Sequence, residues 1–158
     1  MKFKSLSGLV VLLMIFVMAA CSFPDMDPAY EVWAVDQSGT ESDGTGGSLY
    51  IWDGEDIFLK GAKNATPEII DLAKAAKDAN CDAPKKPHMI LSNHTTPKAS
   101  HVILANVGSG NTFFIDIASR DIVGCVSTIG GFNGAGGTTN SHASVASPDN
   151  SMAIVANI

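Results

Sequence analysis

His88 and His142 are the side chains best suited, by type and spacing, to do chemistry. Each opens a short apolar segment, His88-Met89-Ile90-Leu91 and His142-Ala143-Ser144-Val145, and the two lie 54 residues apart. Imidazole suits copper and zinc, so histidines brought to one place would make a metal site. The structural alternative is that each hydrogen-bonds loop backbone and braces neighbouring elements. His94 and His101 read as surface or strand-face residues. Cys81 and Cys125 lack the Cys-x-x-Cys spacing of a metal or redox pair; in an exported chain, an even pair suggests a structural disulfide. Acidic residues are scattered, and no motif places a Ser/His/Asp set or a carboxylate pair. The run Gly130 to Gly137 has no following Lys-Ser/Thr, so it reads as a flexible connection and not a phosphate loop.

The elements that must position these residues repeat. Ile103-Leu104-Ala105-Asn106-Val107 aligns with Ile154-Val155-Ala156-Asn157-Ile158 at an offset of 51. His88 aligns with His142 at 54, and Glu68-Ile69-Ile70 with Asp121-Ile122-Val123 at 53. Landmarks recurring in one order with one period mark a repeat architecture, and this period suits a four-stranded β-propeller blade. Strands are expected over 88–91, 102–107, 112–117 and 122–126, joined by turns at Asn93 to Lys98, at Gly108-Ser109-Gly110 and at Ala118 to Asp121. A following repeat begins at His142 and turns at Ser147-Pro148-Asp149-Asn150. An earlier, less regular repeat has Glu31–Val35 and Leu49–Trp52 as middle strands. Its Glu68–Leu72 is read as an outer strand followed by a short helical turn, although Thr66-Pro67-Glu68 also resembles a helix start. The fold class is therefore all-β, with antiparallel blades over residues 30–158.

Residues 1–20 read as a signal peptide: Lys2 and Lys4 precede an apolar run from Gly8 to Ala20, too short to span a bilayer. Met18-Ala19-Ala20-Cys21 resembles the lipobox of bacterial lipoproteins, in which the cysteine is acylated; Met18 stands where that family usually carries Leu. The resemblance implies an exported chain held on membrane lipid through Cys21. Ser22 resembles the residue of lipoproteins sent to the outer membrane, facing the periplasm. Residues 21–29, with Pro24 and Pro28, read as a tether. Without Lys2 and Lys4 the chain keeps 8 basic and 16 acidic residues, so its net charge moves from −6 to −8. That balance argues against nucleic acid as a partner, since phosphate binding needs clustered Lys and Arg.

His-x-x-x, then Ser147-Pro148-Asp149-Asn150, then Ala153-Ile154-Val155-Ala156-Asn157-Ile158 resembles the YVTN-type β-propeller repeats of exported bacterial and archaeal proteins. Lactonase-like propellers and the propellers of nitrite and nitrous oxide reductases belong to that broad group. The resemblance implies two to three four-stranded blades, expected to be part of a larger closed propeller because the last repeat stops after two strands. The rival expectation is a small β-domain that oligomerises to cover its edges. The resemblance also implies that His88 and His142 line a channel mouth, where copper is a possible cofactor. With no catalytic motif, the expected function is a membrane-anchored module that binds a protein or small-molecule ligand or serves as a scaffold. The alternative is the N-terminal part of a metal-dependent oxidoreductase or lactonase-like enzyme.

Overall fold

A computed structural model of the chain describes residues 30–128 and 140–158. The expected signal segment 1–20, the expected lipidation site Cys21, the expected tether 21–29 and the glycine run 130–137 lie outside the described residues. Among the described residues, nine strands make three antiparallel sheets, with two short helices. Sheet 1 contains β1 (Glu31–Asp36), β2 (Ser48–Asp53) and β3 (Glu68–Asp71) in that order. Sheet 2 contains β4 (Pro87–Ser92), β5 (His101–Asn106), β6 (Asn111–Asp116) and β7 (Ile122–Ser127). Sheet 3 contains β8 (Ser141–Ala146) and β9 (Ala153–Asn157). The all-β, antiparallel class stands.

The sheets stack because their strands are apolar on alternating positions of both faces. Side chains alternate across a strand, so β5 sends Val102 and Leu104 to one side and Ile103 and Ala105 to the other; all four are buried. Val102 and Leu104 join Phe113, Ile115 and Ile122 in one core with Leu49 and Ile51 of sheet 1. Leu72 and Ala76, from the helix after β3, close that core. On the other side, β8 packs against both β4 and β5. The buried hydroxyl of Thr112 pairs with Ser141 at 2.8 Å and Ser144 at 2.9 Å.

Local chemistry repeats between sheets. Asp53 accepts the N–H groups of Glu55 and Asp56, and Asp116 accepts those of Ala118 and Ser119. The first cap opens α1 (Gly54–Lys60), whose first turn carries Glu55 and Asp56 and whose last carries Lys60, as the helix dipole favours. The Leu72 N–H donates to Gly47 O, and the Thr128 N–H to Gly110 O. These matches set β2 equivalent to β6, and β1 to β5. Gly47 has φ 127°, and a Cβ there would meet Pro87 Cγ at 2.5 Å and Asp36 O at 2.7 Å. Only glycine fits that approach.

Two details differ from the sequence reading. Glu68 faces Ile51 as Gly124 faces Phe114, so its structural equivalent is Gly124 and not Asp121. The connection from β2 to β3 carries α1, which has no counterpart between β6 and β7, so one period does not hold through sheet 1. Leu72 leaves the strand and starts α2 (Leu72–Asp78), capped by Asp71 through the Lys74 N–H. Among the described residues, only sheet 2 has four strands.

Phe113 is fully buried at the centre of the core, whereas Val123 is mostly exposed. Phe113→Ala is expected to cost about 3–5 kcal/mol, and Val123→Ala no more than about 0.5 kcal/mol. Urea unfolding of the two variants checks the difference; similar losses would contradict the packing described.

Candidate functional site

The strand register brings His88 and His142 together. Pro87 faces Asn106 and Met89 faces Ala105, so His88 is the extra residue of a β-bulge. β8 repeats the device: Ser141 faces Asn157, Ala143 faces Ala156, and His142 is extra. A bulge re-aims a side chain out of strand alternation. Because β4 and β8 are neighbours, the two imidazoles meet, with ring centroids 4.5 Å apart and planes tilted by 40°.

The surroundings of this pair are polar and incompletely matched. Nδ1 of His88 is buried without a protein partner. Asn106, fully buried, leaves both Nδ2 and Oδ1 unpaired, and Asn157 leaves Oδ1 unpaired. These are the buried unpaired side-chain atoms of the described residues, and they all fall on the His and Asn positions of the repeat. Each costs about 1–3 kcal/mol, so the repeat concentrates its polar cost at one level. Two imidazoles supply two nitrogen ligands, a number copper or zinc can use. No group of three or more His, Cys, Asp or Glu is arranged for a metal among the described residues.

A second feature is an open cleft of about 770 Å³ between sheets 1 and 2. Trp33, Ile90 and Val102 give it apolar walls, and Lys98, Arg120, Glu31 and Asp53 give it charge of both signs. Arg120 crosses the sheet boundary. Its guanidinium pairs with Glu31, donates to Glu68 at 3.4 Å and lies 4.9 Å from the Trp33 ring centroid. It also donates to Ile117 O. Nothing in the sequence signalled this cluster, because Arg120 lies 89 residues from Glu31.

Ser100, His101 and Asp116 stand in a row: Ser100 Oγ is 2.8 Å from His101 Nδ1, and His101 Nε2 is 3.9 Å from Asp116. The sequence reading missed this trio. It lacks the working parts of a nucleophilic triad. The Asp contact is too long for a hydrogen bond, and Asp116 is already engaged by two backbone N–H groups, first that of Ser119, which hold its pKa low. Asn93 Nδ2 donates to Ser100 Oγ, and Asn93 Oδ1 takes the Ser100 and His101 N–H groups that an oxyanion would need. The set is a loop brace.

The β8–β9 turn is built the same way. Asp149 accepts from the Ser147 hydroxyl and from the Ser151 N–H and hydroxyl, which lower its pKa to about 2. Asn150, at φ 58°, then accepts the His94 N–H and ties the loops of sheets 2 and 3. Cys81 and Cys125 form a disulfide, with Cα atoms 6.1 Å apart, joining the segment after α2 to β7.

Arg120→Ala is expected to lower stability by about 1–3 kcal/mol, since it removes charge-assisted hydrogen bonds and a cation–π contact. Arg120→Lys should recover under half of that loss, for lack of a planar fork. Urea midpoints decide it; an unchanged midpoint for Arg120→Ala would show that the cluster does not hold the sheets.

Comparison with family models, curated proteins and solved structures finds no match for this chain.

Proposed function

We propose that the chain is an envelope lipoprotein, held on membrane lipid through Cys21, whose sheets are β-propeller blades acting as a binding or scaffold module. One observation carries the reading: successive sheets stack with equivalent faces, leaving a cleft of about 770 Å³ between sheets 1 and 2. That size falls within the range of ligand sites, about 300–1,000 Å³, and such sites favour boundaries between packed units. Trp33, Ile90 and Val102 offer an apolar contact, and Lys98 at the rim offers a cation. These features suit a partner with an apolar group whose polar contacts are divided between Lys98 and the lining acids Glu31 and Asp53.

A photo-crosslinking amino acid at Lys98, in full-length protein in intact cells, is expected to trap one discrete adduct. The same label at exposed Lys63 is expected to trap none. Absence of an adduct from Lys98 would sink the binding reading. The anchor is tested separately: Cys21→Ala should move the protein from the membrane to the soluble fraction, and retention on the membrane would exclude lipidation at that residue.

A second reading is supported by the His88–His142 ring contact. Here the imidazoles bind copper as part of a redox or hydrolytic site. Copper(II) titration should then show stoichiometric binding that both His88→Ala and His142→Ala abolish. Lack of binding by the unaltered chain would leave the pair as a brace between β4 and β8.

A further inference from the structure

The helices α1 and α2 stand at opposite ends of sheet 1 and differ in what they show to solvent. Asp53, the N-cap of α1, pairs across the sheet with Glu31, whereas Asp71, the N-cap of α2, pairs with Ser48. β2 runs from Ser48 to Asp53, so the two ends are about 17 Å apart along the strand, at about 3.4 Å per residue. In α2 the apolar Leu72 and Ala76 are buried in the core, and Lys74, Lys77 and Asp78 face water, as an amphipathic helix requires. In α1 the pattern is turned over. Its buried position is Gly54, while the large apolar Phe58 and Leu59 are 65% and 67% exposed. Such a patch among polar residues is typical of a contact surface. What lies opposite it follows from where the chain enters. The Gly54 N–H donates to Tyr30 O at 2.9 Å, and a Cβ at Gly54 would meet the Tyr30 ring at 2.8 Å. α1 is thereby fixed on Tyr30, nine residues after Cys21.

We propose that α1 rests on the lipid bilayer, with Phe58 and Leu59 entering the boundary between headgroups and acyl chains, and so turns this end of sheet 1 toward the membrane. The contact rests on the anchor at Cys21. Nine residues span at most about 32 Å when fully extended, so a lipid on Cys21 keeps α1 within that distance of the bilayer. Tethering raises the effective concentration of lipid around the helix, and a contact too weak to hold a free protein is then occupied. Lys60 is already paired with Asp56 at 2.6 Å, so the contact works through apolar area and not through attraction to anionic headgroups. Stacked sheets cover strand faces, and α1 is not a strand: it connects β2 to β3 from the sheet end at which the chain enters. Tyr30, Glu31 and Asp53, which line the cleft, stand at the same end, so the contact holds the cleft close to the lipid.

The test uses the full chain as the cell processes it, purified from membranes and reconstituted in vesicles of phosphatidylethanolamine and phosphatidylglycerol. A fluorescent amino acid is placed at exposed Ala62, just after α1, or at exposed Lys77 on α2. Bromine on the lipid chains quenches only a fluorophore that touches them. The label at Ala62 is expected to lose about half its emission or more on brominated vesicles, and the label at Lys77 to keep its emission. Phe58→Ser combined with Leu59→Ser should restore the Ala62 emission while the chain stays on the vesicles. Both side chains are exposed, and an unchanged urea midpoint confirms that the variant folds. An unquenched Ala62 label on vesicle-bound chain would overturn the proposal, whatever else covers α1. Equal quenching at Lys77, or quenching at Ala62 that survives the double substitution, would also overturn it. Mass spectrometry of the same preparation reads the acyl group on Cys21 separately. An unacylated chain would overturn the anchor and this contact together, whereas an acylated chain with an unquenched Ala62 label would overturn the contact alone.

Discussion

Everything in this molecule depends on sheets that are apolar on both faces. A strand such as β5, with Val102 and Leu104 on one side and Ile103 and Ala105 on the other, cannot face water on either. Sheet 2 is therefore stable only as the middle of a stack. Sheet 1 and its helix α2 cover one face, and sheet 3 covers the other. The disulfide, the Arg120 cluster and the Thr112 hydroxyl pairings all cross boundaries that this constraint creates.

The two boundaries are built from different chemistry. Between sheets 1 and 2 the contact is large and apolar, with Leu49, Phe113 and Ile115 at its centre, and it carries the covalent bridge. Apolar burial contributes about 25 cal/mol per Å² but sets orientation loosely; the bridge and Arg120 add direction. Between sheets 2 and 3, Ile103 and Ala105 supply the apolar contact from β5, and the Thr112, Ser141 and Ser144 hydroxyls set the register. Hydrogen bonds each contribute only about 1 kcal/mol net, so these hydroxyls add direction more than free energy. The unpaired His88, Asn106 and Asn157 atoms gather where inner strands begin, at the place where binding has most to gain from unused polar groups.

Much of this was legible in the chain because the repeat is written in positions that packing cannot vary. Ile103-Leu104-Ala105-Asn106 and Ile154-Val155-Ala156-Asn157 read as one strand twice, and His88 and His142 occupy one bulge twice. The misread register at Glu68 shows the limit. Helix α1 displaces the alignment, although Asp53, Glu55, Asp56 and Lys60 spell an N-cap and charged ends that could have signalled it. Arg120 meeting Glu31 and the buried Thr112 hydroxyl could not be read, because both depend on how sheets stack and not on local pattern. The bulges were also invisible: a one-residue slip leaves no mark in composition, yet it is what turns His88 toward His142.

The stacking of sheet 1 on sheet 2 is most directly tested by mapping the cysteines of the native protein. Proteolysis without reduction, followed by mass spectrometry, should yield one peptide pair joining Cys81 to Cys125 within a single chain. Finding both as free thiols, or bridged between chains, would contradict the face-to-face arrangement from which the rest of the account follows.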